Sequence, residues 1–539
     1  MTEKGCPDSR SSFSAADGEH TWRDWTNVLA LFVPVLIGFY LLITSTTYPI
    51  QDIWPYDAKR ILQFCLLLIL FLVPAVNKRI RYEFSAMLLA IPLWIKLLLF
   101  FVFFSGVLSA LVTARSLMHA LNSLSEVALL ASLVLGVFVV ASCRRVSGLI
   151  FDQIAIGMIA LTVLAVGLQE ILGTVAILNT NIEFSFYVTL MHFSFPRFFN
   201  QVQSWAIPIL VVLPVLFPRK RWAPIACVLI LGLQWYIILM TGARGSFLAL
   251  VAALFLAAIF LPPVRSLFLK WQTAGFILGA VLYFTMLYNF ESSTSDQNVT
   301  QSDRQTIVRE ADRNRGSSAG QLSGGKSSFF KQSLGRPMNH TSTRSWMWKV
   351  TMIDASNNPL LGIGPMNYVC TSPRRIGHPH NFPFQLAAEW GIPVALVSCA
   401  LFLVLLLRVA RDVRHGLVGS IQENTLAGAL LISVLTAGIY ACLSGVLVMP
   451  ASQVTGLLVC GTLVGLYPRV RTDVTRPILR WSFLPGLIMS TGLLLLGSYE
   501  LVTMKDRGDL ISPSDSMFPR IWQDAKVCTL YTKQNEVKN

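Results

Sequence analysis

Long apolar runs separated by short polar gaps fill most of the chain, and one polar interval of roughly a hundred residues, about 291–390, breaks the rhythm. A helix that crosses a bilayer needs about 20 mainly apolar residues. Thirteen stretches approach this: 27–45, 60–76, 87–112, 119–141, 149–168, 203–217, 224–241, 245–262, 273–290, 391–408, 424–446, 451–467 and 482–498. The stretch 203–217 is short for a span, and 169–200 is too polar in places to be counted. The pattern predicts an all-α, polytopic integral membrane protein. It has about 12–13 transmembrane helices and one large loop between the ninth and tenth.

The gaps give an orientation. Numbered from an inside N-terminus, the inner gaps carry Lys78, Arg79 and Arg81; Arg144 and Arg145; Arg219, Lys220 and Arg221; Arg265 and Lys270; Arg408, Arg411 and Arg414; and Arg469, Arg471, Arg476 and Arg480. The alternate gaps around 46–59, 113–118 and 242–244 are far less basic. Basic residues concentrate on the cytoplasmic side of membrane proteins. The alternation therefore places 169–202, 242–244, the long interval and the C-terminal tail outside. Residues 1–20 contain no apolar core, so the first apolar run is expected to serve as an uncleaved anchor.

Composition agrees. Of 539 residues, 54% are hydrophobic and 13% are charged, against about 25% charged in soluble proteins. The net charge of +15 sits mostly in the short gaps, so it marks orientation and not a nucleic-acid groove. Nine cysteines are scattered without a CxxC pair. Cys65, Cys227 and Cys460 lie inside apolar runs as small core residues, and the spacing leaves open whether Cys370 and Cys528 pair on the outer side. The chain divides into N-terminal transmembrane helices (1–290), the outer loop (291–390), C-terminal transmembrane helices (391–498) and an outer tail (499–539). Within the loop, 291–343 is rich in Ser, Gln, Asp, Arg and Gly, so mobility is expected; 344–390 is expected to be ordered.

In that ordered part, Ser342 or Thr343 can cap a helix, on which Trp346, Val350 and Ile353 share a face. Asn357-Asn358-Pro359 ends it, and Gly362-Ile-Gly364-Pro365 predicts a tight turn. Then comes His378-Pro-His380-Asn381. Pro383 suits the first turn of a helix, which the pattern predicts over 382–390, with His380 just ahead of it. The partial positive charge of that helix end favours an anion and keeps a nearby imidazole neutral. A neutral His380 beside an anion suits a general base; the alternative is a cap or a partner for a backbone carbonyl. His378 reads as a loop residue and Asn381 as its polar neighbour.

Arg244, in Thr241-Gly-Ala-Arg244-Gly-Ser246, stands at the outer end of two apolar runs, where an arginine either anchors at the interface or meets a ligand. Arg344 can fork onto phosphate oxygens, or remain a solvated loop charge. Arg197, among aromatics in Phe195-Pro-Arg197-Phe-Phe-Asn200, can snorkel or bind a headgroup. Glu389 can orient an arginine or face water. No HExxH or DxD motif suggests a metal, and Asp354 is an isolated carboxylate.

Three stretches, in this order, resemble the O-antigen ligase family, which also includes O-antigen polymerases and bacterial O-linked oligosaccharyltransferases. They are Thr-Gly-Ala-Arg244-Gly-Ser-Phe-Leu-Ala; Ser342-Thr-Arg344-Ser-Trp346 running to Pro359-Leu-Leu-Gly362-Ile-Gly364; and His378-Pro-His380-Asn381 to Glu389-Trp-Gly391. Together they span roughly residues 200–410. The resemblance implies an all-helical glycosyltransferase of the bacterial inner membrane, acting at the periplasmic face without metal or other cofactor. Its donor would be a glycan on undecaprenyl diphosphate. Its acceptor would be lipid A–core oligosaccharide in a ligase, another lipid-linked repeat unit in a polymerase, or a protein such as pilin in the third group. The family's essential histidine falls on His380 and its arginines on Arg244 and Arg344. Arg197, His378, Asn381 and Glu389 are the expected substrate-binding neighbours. Reaction by one direct displacement would invert the anomeric carbon. The thirteenth span and the 291–343 insertion depart from the family pattern. A lipid-linked glycan transporter is the rival of another class, but the sequence shows no internal repeat, and its polar motifs gather at one face and not at the midplane.

Overall fold

A computed structural model describes residues 25–47, 55–178, 193, 196–295, 343–371, 377–467 and 481–506. Most of the outer interval expected to be mobile (296–342), and the tail from 507 onward, lie outside the described residues. The described residues form helices and no strand. In chain order these are α1 (Trp25–Thr46), α2 (Pro55–Val76), α3 (Lys78–Ala90), α4 (Leu93–Val112), α5 (Leu117–Ser147) and α6 (Leu149–Leu178). Next come α7 (Pro196–Leu210), α8 (Leu213–Leu216), α9 (Trp222–Met240), α10 (Arg244–Phe260) and α11 (Pro262–Ser295). After the outer interval follow α12 (Thr343–Asn357), α13 (Tyr368–Thr371), α14 (Phe382–Trp390), α15 (Ile392–Arg414), α16 (Ile421–Ala441), α17 (Pro450–Leu466) and α18 (Leu484–Asp506).

Among the described residues, nine helices are long and apolar enough to cross a membrane, and α10 and α17 are shorter apolar helices. The protein is an all-α, multi-pass membrane protein. Helix occupies most of each interval marked by hydropathy, but 87–112 is broken at Ile91 and Pro92, and several helices run beyond their expected ends. Helix α6 runs past 168 to Leu178, and α7 begins at Pro196, ahead of 203. These extensions carry Glu170, Thr174, Asn200 and Gln201, and Gln203 and Ser204 follow directly; all six are buried. Polar side chains end an apolar run on a hydropathy scale, yet inside a helical bundle they can bond to one another. Gln203 Nε2 donates to Gln234 Oε1 at 2.9 Å, and Gln234 Nε2 donates to the Val163 carbonyl at 2.7 Å. The weak stretch 203–217 is split. Pro214 has no N–H to give the Leu210 carbonyl, so α7 stops there; the Cys227 thiol donates to that carbonyl instead, at 3.3 Å.

Small residues set the closest helix contacts. A Cβ on Gly279 of α11 would stand 2.7 Å from the Gly232 carbonyl oxygen of α9, so the two backbones pass at the distance that only glycine permits. At the end of the bundle where the basic gaps gather, Arg144 of α5 joins four helices. Its guanidinium lies 3.0 Å from Asp152 of α6 and 2.9 Å from Glu423 of α16, and it donates to the Gly465 carbonyl of α17 at 3.3 Å.

The other end carries the described residues of 343–371 and 377–390. Helices α12 and α14 pack together there, with Trp348 and Phe384 edge to face at 5.9 Å. The buried face of α12 is Met347, Thr351 and Ala355; of the expected Trp346–Val350–Ile353 face, Ile353 is 57% exposed while Trp346 and Val350 are half-buried. Apolarity alone misjudged this helix because its tight packing uses a small Ala355 and a Thr351 whose hydroxyl bonds back to the Met347 carbonyl at 2.7 Å. The turn after α12 is then stitched to the end of α14. Ile363 N–H donates to the Ala388 carbonyl at 2.8 Å, Gly364 N–H to the Glu389 carbonyl at 3.0 Å, and Ile392 N–H to the Pro359 carbonyl at 2.8 Å. Ser109 at the end of α4 donates to the Leu361 carbonyl at 2.5 Å. Gly391, at φ +97°, makes this joint possible: a Cβ there would lie 2.1 Å from the Leu360 oxygen.

Two stability predictions follow from these contacts. Arg144→Leu leaves Asp152 fully buried without its cation, and removing one partner of a buried pair destabilises by about 3–5 kcal/mol. A clear fall in the melting temperature of the purified protein in detergent is expected, and an unchanged value would refute the clamp. Gly391→Ala forces a side chain into a left-handed backbone, at about 1–3 kcal/mol, and adds the clash with Leu360. It should lower the yield of folded protein more than Gly157→Ala, since the space around Gly157 is open.

Candidate active site

The site is assembled from the start of α14. Asn381 caps it, its Oδ1 accepting from Phe384 N–H at 3.0 Å, and Pro383 stands in the first turn. The helix covers Phe382–Trp390, the span that Pro383 and the apolar pattern predict. His380, one residue before the cap, has φ +55°. A side chain in the left-handed region is uncommon outside glycine, and such strain tends to collect at functional positions. The His380 N–H donates to His378 Nδ1 at 3.2 Å, so the proton of a neutral His378 sits on Nε2. The two imidazoles meet edge to face at 4.3 Å, with 81° between their planes. Trp348 holds the intervening residue, its indole N–H donating to the Pro379 carbonyl at 3.1 Å. His380 is half-buried, and His378 is 4% exposed.

The floor beneath this pair is the turn 442–449, between α16 and α17. A Cβ on Gly445 would lie 2.6 Å from His378 Nε2. The same turn reaches the element that carries Arg244. Gly245 packs on Tyr440 and Leu443, and Gln201 Nε2 donates to Ser444 Oγ at 3.2 Å. Arg244 is the first residue of α10 and is exposed. Its entry turn uses Gly242 at φ +56°, and Thr241 receives a bond from Asn200 Nδ2 at 3.2 Å. Arg344 is half-buried in the first turn of α12, four residues before Trp348 and so on the same face of the helix.

The structure therefore brings His378, His380 and Asn381 together, puts Arg344 on the helix that pins them, and sets Arg244 on the helix that abuts the same turn. Glu389 takes a different place. It is wholly buried, its Oε1 accepting from Tyr368 N–H at 3.1 Å and its Oε2 from Gln385 Nε2 at 3.3 Å. Arg197 falls in the first turn of α7, and its side chain lies outside the described residues. On α12, burial pushes the Asp354 carboxyl above its usual range, and a 2.8 Å bond from Thr371 opposes the shift. Among the described residues, no three His, Cys, Asp or Glu side chains gather as a metal-binding group. Residues 320–327 spell the letters of a phosphate-binding loop, but no apolar strand precedes them, as that motif requires, and they lie outside the described residues.

One cluster escaped the sequence reading. Tyr56 and Arg60 at the start of α2 are buried and bond to the Val448 carbonyl in the turn 442–449. Lys59 is buried beside them, its ammonium 4.0 Å from the centre of the Phe193 ring. A narrow cavity lined by Arg60, Glu126, Gln453, Phe382 and Gln385 adjoins the first turn of α14. The available signal was Asp57-Ala-Lys59-Arg60, three charges directly adjoining an apolar run on the side that is otherwise poor in basic residues.

Residues 225–399 match the family model described as O-Antigen ligase. The match includes Arg244, Arg344, His378, His380, Asn381 and Glu389; it leaves out α2 and the turn 442–449. Comparison with curated proteins found no match. The chain is thus a multi-pass membrane protein whose residues 225–399 are similar to the O-antigen ligase family.

Proposed function

We propose that the protein is an O-antigen ligase of the bacterial inner membrane. It transfers glycan from undecaprenyl diphosphate to lipid A–core oligosaccharide at the periplasmic face, without metal and with inversion. The observation that carries this reading is the seating of His380. It lies at the capped start of α14, in a left-handed backbone and against a His378 whose Nδ1 accepts its N–H, within the matched region that also holds Arg244 and Arg344.

His380 accepts the proton of the acceptor hydroxyl as that oxygen attacks the anomeric carbon of the donor. The bond from that carbon to the diphosphate oxygen breaks, and undecaprenyl diphosphate leaves with the electron pair. Arg244 and Arg344 hold the charge that grows on the leaving group, the kind of electrostatic contribution that is commonly large in catalysis. The polyprenyl tail stays against the apolar helices. The helix count of about 12–13, the outer loop between the ninth and tenth spans and the division at 290, 390 and 498 belong to the same proposal. The alternation of basic gaps supports a periplasmic site. So does Cys370, which is disulfide-bonded, because such bonds persist in oxidising compartments.

Disruption of the gene tests the acceptor. Loss of glycan from the core with lipid-linked polymer intact supports the ligase. Loss of chain extension with one repeat still attached indicates a polymerase instead, and unglycosylated pilin indicates a protein-directed transferase. Translocation of lipid-linked glycan by purified protein, with no transfer, would sink the enzyme reading altogether.

Two variants test the site. His380→Ala, at normal abundance, is expected to lose about 10²–10⁴-fold in transfer rate, the usual contribution of a general base; wild-type transfer would reassign the base. Arg244→Lys keeps the charge but not the planar fork. It should lose about 10²-fold or more when assayed with labelled undecaprenyl-diphosphate glycan, and full activity would make Arg244 an interfacial anchor only.

A further inference from the structure

Arg60 lies in the first two turns of α2 and is 1% exposed. Its Nη1 donates to Gln63 Oε1 at 2.6 Å and Gln453 Oε1 at 2.5 Å. Its Nη2 donates to the Tyr56 hydroxyl at 2.7 Å and the Val448 carbonyl at 2.6 Å. The terminal nitrogens of a guanidinium carry two N–H groups each, and here every one is engaged. Gln453 extends the web, its Nε2 donating to the Leu447 carbonyl at 2.7 Å. A guanidinium committed in this way has no fork to offer a phosphate. It works instead as a strut between α2 and the turn 442–449.

That turn bears directly on the histidine pair. Gly445 packs so closely on His378 that a Cβ would come within 2.6 Å of Nε2. His378 in turn receives the His380 N–H at 3.2 Å and lies at 4.3 Å from its ring. We propose that Arg60 is a positioning residue for His380, acting through Val448, Gly445 and His378. The proposal rests on the reading of His380 as the base. Its force lies in distance: a misplacement of about 1 Å at a reacting group lowers the rate by roughly 10²-fold. Arg60 stands outside the matched region, so the domain at 225–399 draws part of its alignment from the N-terminal helices.

The test uses full-length protein in lipid nanodiscs and compares wild type with Arg60→Lys, Arg60→Gln and Gly445→Ala. Amide hydrogen exchange is read without substrate over 444–449 and at the His380 amide, whose donor bond to His378 makes it a direct probe. Transfer is then measured with labelled undecaprenyl-diphosphate oligosaccharide and lipid A–core. Both Arg60 variants should speed exchange in the turn and at the His380 amide. They should also lower kcat by about 10²-fold with little change in donor KM. Lysine should not rescue, because it cannot span four acceptors. Gly445→Ala should reproduce the kcat loss with Arg60 intact, which separates alignment from poor folding of the Arg60 variants. Faster exchange confined to 444–449, or a raised donor KM with kcat preserved, would overturn the proposal; the second result would make Arg60 a donor ligand. A wild type that transfers no glycan would end the reading of function, while the exchange results would still judge the strut.

Discussion

Polar groups inside a lipid-facing bundle have no water to fall back on, and their need for partners orders this structure. The hydrocarbon core offers nothing to an unsatisfied donor or acceptor, and several buried charges and amides here find partners on other helices. At one end Arg144 draws α5, α6, α16 and α17 together. Midway, Gln203 and Gln234 link α7, α9 and α6. At the other end Arg60 and Gln453 bind α2 to the turn before α17. Apolar packing between the helices adds contact area but little direction, since lipid chains are as apolar as leucine. Register along the bundle is therefore carried mainly by these few directional contacts.

The site inherits that register. Its histidine pair rests on the turn 442–449, and the same turn meets the first residues of α10, where Arg244 begins the helix. The helix pair α12 and α14 is held from above by backbone bonds between 359–364 and 388–392. Glu389 strengthens this joint from inside by accepting the Tyr368 N–H. His378 is buried where the imidazoles meet and Arg244 is exposed at its helix start, an arrangement that fits the proposed transfer.

Much of this was legible in the residues, for reasons that also explain the gaps. A run of about 20 apolar residues has few folds open to it in a bilayer, so the helices declare themselves. Pro383 carries a local signal for a helix start, and α14 begins where it says. Hydropathy fails where a membrane protein turns polar groups inward. It closed α6 before Glu170, opened α7 after Asn200, and passed over Arg60, because a charge beside an apolar run looks like the end of a span. The buried face of α12 was hidden for the opposite reason. Its contacts depend on the small size of Ala355 and on a hydroxyl that satisfies itself, and neither raises an apolar signal. The family resemblance found the candidate residues, but it gave no hint of the floor on which they stand.

Charge placement narrows how such a site can handle a diphosphate. Arg60 is saturated by four neutral acceptors, and Lys59 is buried over an aromatic ring. The guanidinium charge of Arg60 sits below the histidine pair, wrapped in protein. Arg244 and Arg344 differ in being exposed and half-buried at the first turns of two helices. A planar guanidinium there can meet phosphate oxygens in a fork, and a helix start adds its own partial positive charge. A dianionic leaving group held from these two positions would face a neutral imidazole across the reacting carbon. Cations at those two positions also disfavour an imidazolium nearby, so they would steady the leaving group while leaving the base able to accept a proton. Alignment and charge are thus supplied by different arginines, the one sealed within the bundle and the others set at its rim.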